Sequence, residues 1–195
     1  MSFFETKGYI DVKRDIAIDF YDVLELQSAS QRKREFIKFI YKDPYFLDPY
    51  VSLSEEFTLS GDTKMSLEIL NDGFKKANEL LSDQSGQWPE SLEWAWLENR
   101  HIIRCLASKA LVDWETGDEA SALKILRYLL SSNPRDNVGA RFYLLAIREN
   151  ISLAQYEEVL EKDGIVDDML LDWFERGVEK YPDEFSVWKT RAQTH

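Results

Sequence analysis

His101 and Cys105 are the side chains with the most reactive chemistry in the chain, an imidazole and a thiol four residues apart, so that a helix would present both on one face. Such a pair could hold a metal or activate a thiolate. Zinc, however, takes three or four protein ligands, Cys105 is the single cysteine, and the other histidine is the terminal His195. A small buried thiol beside a surface histidine accounts for the pair without any reaction. The adjacent carboxylates Glu55-Glu56, Glu157-Glu158 and Asp167-Asp168 diverge by about 100° around a helix. That suits solvated faces and helix N-termini better than shared acid–base work. Gly-rich phosphate loops, nucleophile elbows and zinc-protease signatures are absent. No enzymatic activity, metal or cofactor is expected.

Charge narrows the partners. A formal net charge of -12 repels nucleic-acid backbones and anionic membranes, and the cluster Arg32-Lys33-Arg34 runs straight into Glu35. A nucleic-acid or membrane partner is not expected; a basic peptide or basic protein surface is the compatible choice. No apolar run approaches the roughly 20 residues that span a bilayer. The opening residues show no secretory pattern and a single cysteine suits a reducing compartment, so a cytoplasmic protein is expected.

The elements that position these residues read as paired helices. In the stretch 47–78, Tyr50, Leu53 and Phe57 share a helical face, Gly61-Asp62 interrupts it, and Leu67, Leu70 and Phe74 resume it. Glycine tolerates the left-handed conformation that ends a helix, and Asp62 or Thr63 can cap the next one. The same grammar recurs around Gly117-Asp118, with Ala122 in the place of Ser66 and Pro134 closing the unit. Earlier, a helix is expected from about Val12 to Gln27, broken at Ser28-Ala29-Ser30, and a second apolar stripe ends at Pro44. Gly61 and Gly117 lie 56 residues apart. The excess over one repeat falls near 81–102, where Pro89-Glu90 suggests a start that lengthens the following helix into one rod. A second insertion, near 151–166, predicts a short helix ended by Gly164, then a helix from about Asp167 to Tyr181.

With Pro44, Pro134 and Pro182 at one phase, the chain resembles the tetratricopeptide repeat family, whose helix-turn-helix units run about 34 residues. The resemblance implies an all-α, right-handed superhelical stack of about ten helices in one domain over 1–195. Degenerate repeats would lie near 12–44, 47–80, 89–134 and 137–182, with a terminal helix over 184–194. A narrower resemblance covers ENRHIIRCLASKAL and NPRDNVGARFYLL, and looks like a subgroup of bacterial repeat proteins that implies no reaction.

In this family the first helices line a concave groove. The resemblance places Asp48, Val51, Glu55, Arg104, Leu111, Trp114, Arg141, Leu145 and Arg148 there, with Arg104, Trp114 and Arg141 as anchors for a protein or peptide. Arg141 has two readings, an internal bridge to a carboxylate such as Glu98, or an outward ligand contact. The carboxylate clamp of family co-chaperones is absent, because Val51, Glu55, Ser108, Val138 and Phe142 occupy its positions; binding to a chaperone tail is not expected. Two other functions stay open. One is an enzyme or small-ligand sensor with a pocket between the inserted long helix and the stack, near Arg100 or Arg104. The other is a homodimerising adaptor with exposed Phe185 and Trp188.

Overall fold

The computed structural model describes residues 8–159 and 168–192, and among them the chain is all-α. Ten α-helices follow in order: α1 (Ile16–Leu24), α2 (Ala29–Lys42), α3 (Asp48–Leu59), α4 (Thr63–Leu81), α5 (Arg100–Glu115), α6 (Glu119–Ser132), α7 (Ala140–Arg148), α8 (Leu153–Val159), α9 (Asp168–Lys180) and α10 (Pro182–Ala192). A 3-10 turn, Leu97–Asn99, leads into α5, and one isolated bridge joins Gly8 to Ser91. The chain divides into two compact units between Lys109 and Ala110, within α5.

Both expected Gly-Asp turns form, and they are superimposable in their bonding. Gly61 and Gly117 sit at φ +81° and +89°, the left-handed region that glycine enters without steric cost. In each turn the glycine N–H returns to the third residue before it (Thr58, Trp114) and the aspartate N–H to the fifth before it (Phe57, Asp113). The Asp62 and Asp118 carboxylates then accept from Met65 and Ser121 N–H, both at 3.1 Å, closing the N-termini of α4 and α6.

In the first unit α1, α2, α3 and α4 pack in sequence order. Phe20 lies at the centre of an aromatic cluster with Phe36, Phe39 and Phe46, at ring separations of 5.3–5.8 Å. Gly73 of α4 meets Tyr50 of α3 so closely that an added Cβ would stand 2.8 Å from the tyrosine Cβ. In the second unit α7 packs on α6, α8 and α9. Phe142, Phe174, Phe185 and Trp188 form one edge-to-face chain, and Trp114, Tyr143, Tyr156 and Trp173 form a second whose rings are mostly tilted.

Two expectations change, and a third is met in part. The helix expected from Val12 begins only at Ile16, because the Asp11 N–H is bound by the Asn99 side chain and the Tyr9 N–H by the Ser91 carbonyl, which hold 8–14 as a strap. The rod expected from Pro89 is instead a loop over 82–96. Its carbonyls serve side chains: Asn99 donates to Glu93 O, and Arg100 to Trp94 O, so the helix ladder cannot extend back through them. The short helix of the second insertion forms as α8, whereas Gly164 and Asp167 lie outside the described residues.

Candidate functional site

The strap, α1 and the start of α5 enclose a pocket of about 270 Å³ within the first unit. Its position depends on a buried polar clasp. His101 accepts the Leu47 N–H at Nδ1 (3.1 Å), which leaves Nε2 as the protonated nitrogen that donates to Asp11 (2.9 Å). Asp11 also receives Arg14 and the Tyr9 hydroxyl, and Arg14 continues to Asp43 at 2.6–2.8 Å. Asn99 completes the clasp, donating to Tyr9 O and accepting from Asp11 N–H. Burial alone would push the Asp11 carboxyl up, but the His101 hydrogen bond and the Arg14 charge outweigh it and hold the group below the ordinary carboxylate range. The histidine expected at the surface is therefore a core residue, 4 % exposed.

Above the clasp the pocket has an apolar rim. Val12, Ile18, Tyr21 and Leu97 line it and remain 64, 70, 50 and 68 % exposed. Below them Arg104 forms a two-bond ion pair with Asp48, Nε to Oδ1 at 2.7 Å, and touches the Tyr21 hydroxyl. Arg100 is spent differently. Its Nε donates to Trp94 O and its guanidinium stacks 5.1 Å over the Trp94 ring, with no carboxylate in ion-pair range among the described residues.

A wider cleft of about 720 Å³ lies in the second unit, between the NPRDN turn, α9 and α10. Arg141 backs it, stacked over Phe142 at 4.1 Å and near Phe174 and Trp188. Its internal bridge goes not to Glu98 but to Asp136, at 2.9 Å. The Asp136 side chain closes the start of α7, accepting from Ala140 and Arg141 N–H, while Gly139 makes the left-handed turn at φ +72°. Desolvation pushes the Asp136 carboxyl up to about 6 against the opposing charge of Arg141.

The nine groove positions have unequal fates. Asp48 and Arg104 meet at the pocket, and Glu55 and Arg148 are exposed, the latter 3.7 Å from Glu184. Leu111 and Arg141 are half-buried. Val51, Trp114 and Leu145 are core residues: Trp114 stacks on Tyr143 and Tyr156, and Leu145 fills the space that Gly177 leaves open. They give the fold its packing and offer no surface. Trp114 and the ion-paired Arg104 and Arg141 are accordingly weaker anchors than their types suggest.

Cys105 is fully buried beside Gly73, its thiol pushed up to about 12 by desolvation. No group of three or more metal-ligating side chains occurs among the described residues, and no helix among them is long and apolar enough to cross a membrane. Phe185 is buried, and Trp188 is half-buried with its indole N–H on Pro134 O, so the apolar end expected of a dimerising adaptor is covered. No protein-family model, curated protein or solved structure matches the chain.

Proposed function

We propose that this chain is a tetratricopeptide-like, right-handed helical-hairpin array that acts as a cytoplasmic protein-interaction module without catalysis, and that its contact site is the pocket of the first unit. The fold-family part of this reading is supported by the two identically bonded Gly-Asp turns. The functional part is carried by one observation: four large apolar side chains, Val12, Ile18, Tyr21 and Leu97, stand half or more exposed around a single concavity. Clustered apolar exposure of that kind mostly marks an interaction surface. Insertion of a partner's apolar side chain would dry the rim, and the clasp beneath it keeps the concavity preformed, which lowers the ordering cost of binding. The contact site thus shifts from the groove strip to its Asp48–Arg104 end.

The test is selection of peptides from a random display library against the folded protein, followed by binding measurements with an Ile18→Asp/Leu97→Asp variant. The reading expects selected peptides to lose at least about tenfold in affinity on the variant, which thermal melting should show folded. Peptides that bind wild type and variant alike would move the site elsewhere.

A further inference from the structure

The pocket inverts the charge of the molecule around it. The whole chain carries 36 acidic against 24 basic side chains, yet the pocket lining holds Lys13, Arg14, Arg100 and Arg104 against Asp48 and Glu98. Three of these cations already face a carboxylate, Arg14 at Asp11 and Asp43, Arg104 at Asp48 and the exposed Lys13 at Asp15, 3.8 Å away. Arg100 does not, among the described residues: its one polar contact there uses Nε, and both terminal nitrogens stay unspent on a lining that also carries the apolar rim. A guanidinium presents these donors as a rigid fork matched to a carboxylate, and it is more valuable there than in open water because the surroundings are partly desolvated. Stacking on Trp94 fixes the orientation of that fork without consuming it.

We infer that the pocket binds an apolar carboxylate: an aliphatic or aromatic body of about one large side chain, seated between Ile18, Tyr21 and Leu97, whose single carboxylate is received by Arg100. The volume of about 270 Å³ sets the size of the body. One uncommitted guanidinium sets the number of charges, and Glu98 on the same lining disfavours a second anion. The inference rests on the reading of this pocket as the contact site and names the chemistry it accepts, which is opposite to the basic partner that the net charge alone suggests. The same chemistry has two sources, a free carboxylic acid or the terminus of a peptide ending in an apolar residue.

The probes are octanoate against octanamide, and a tetrapeptide ending in leucine as free acid against its amide, titrated calorimetrically into wild type, Arg100→Gln and Arg100→Lys. Saturable binding of at least one acid is expected, at least about tenfold tighter than its amide, with the difference lost in Arg100→Gln and partly kept in Arg100→Lys. Tighter octanoate would assign a small acid, and a tighter peptide a chain terminus. Acid and amide binding alike, or an Arg100→Gln variant that is folded by thermal melting and unaffected, would overturn the inference. The Ile18→Asp/Leu97→Asp variant separates the two failures: if it abolishes binding of displayed peptides while Arg100→Gln does not, the contact site stands and the carboxylate chemistry falls.

Discussion

The two units solve the same packing problem with different forces. The first adds to its Phe20 cluster a buried network of Asp11, Arg14, His101, Asn99 and Asp43 that holds the strap, whereas the second relies on two chains of edge-to-face and tilted aromatic rings and the Asp136–Arg141 pair at the start of α7. Aromatic packing tolerates small rearrangements, but a buried polar network is stable only in one arrangement, since each unpaired member carries a desolvation cost. The pocket of the first unit is backed by directional bonds, whereas the wider cleft of the second is backed by aromatic rings and Arg141.

The largest effect should come from breaking the clasp. Asp11→Ala leaves Arg14, His101 and the Tyr9 hydroxyl without their shared acceptor, which should cost about 3–5 kcal/mol, as removal of one partner of a buried pair does. Denaturant unfolding measures it. A loss under about 1 kcal/mol would mean that the strap adds little and that the polar design of this unit is incidental.

Protonation should affect the two units with opposite sign. The folded value of Asp11 lies below its ordinary 3.8, so its stabilising contribution is complete above about pH 4 and is lost as pH falls through the lower folded value. The Asp136 carboxyl lies near 6, above 3.8, so its contribution is complete at low pH and declines as pH rises through 6, by about 3 kcal/mol in all. Unfolding free energies at pH 4, 5, 6 and 7 should therefore fall with pH in the wild type and flatten in Asp136→Asn. A decline unchanged by that substitution would show that the Arg141 charge and the two amide donors outweigh desolvation at this cap.

How much of this was readable from residues alone follows the range of the contacts. The hairpins around Gly61 and Gly117 were legible because a left-handed glycine, a capping aspartate and an apolar stripe all act within a few residues. Within the first hairpin Ser66 and Gly73 face Ser54 and Tyr50, where α3 and α4 approach closely. The clasp was not legible, because Asp11 and His101 are 90 residues apart and no local pattern connects them. Pro89-Glu90 misled in the other direction: it is a sound local start signal, overruled by Asn99 and Arg100, whose side chains take the backbone acceptors a helix would need. Groove positions assigned by analogy failed where the local packing is particular, as at Leu145, which has moved into the space beside Gly177.

That glycine and Gly73 give a matched pair of probes, one in each unit. An added Cβ at Gly73 meets the Tyr50 Cβ at 2.8 Å, an atom fixed to the α3 backbone, while at Gly177 it meets the Leu145 Cδ2, Cδ1 and Cγ at 2.3, 2.6 and 2.9 Å. Methyl groups can swing aside and a backbone-anchored Cβ cannot. Gly73→Ala should cost about 2–3 kcal/mol and Gly177→Ala about 1–2 kcal/mol, each already reduced by the better helix propensity of alanine. The reverse order in thermal melts would show that the Leu145 site is the more rigid, and that the aromatic unit is not the tolerant one.

The smallest effect is expected at the pocket rim, and its smallness is informative. Ile18 and Leu97 are 70 and 68 % exposed, so aspartate at both positions removes little buried area and should change stability by no more than about 0.5 kcal/mol. Phe185, an apolar residue of similar size in the other unit, is fully buried, and Phe185→Asp should cost about 3 kcal/mol. The contrast separates apolar groups retained for packing from those retained despite contact with water. If the rim variant lost more than about 1 kcal/mol, Ile18 and Leu97 would belong to the core of the first unit, and the concavity beside them would be an edge of that core instead of a surface kept free for a partner.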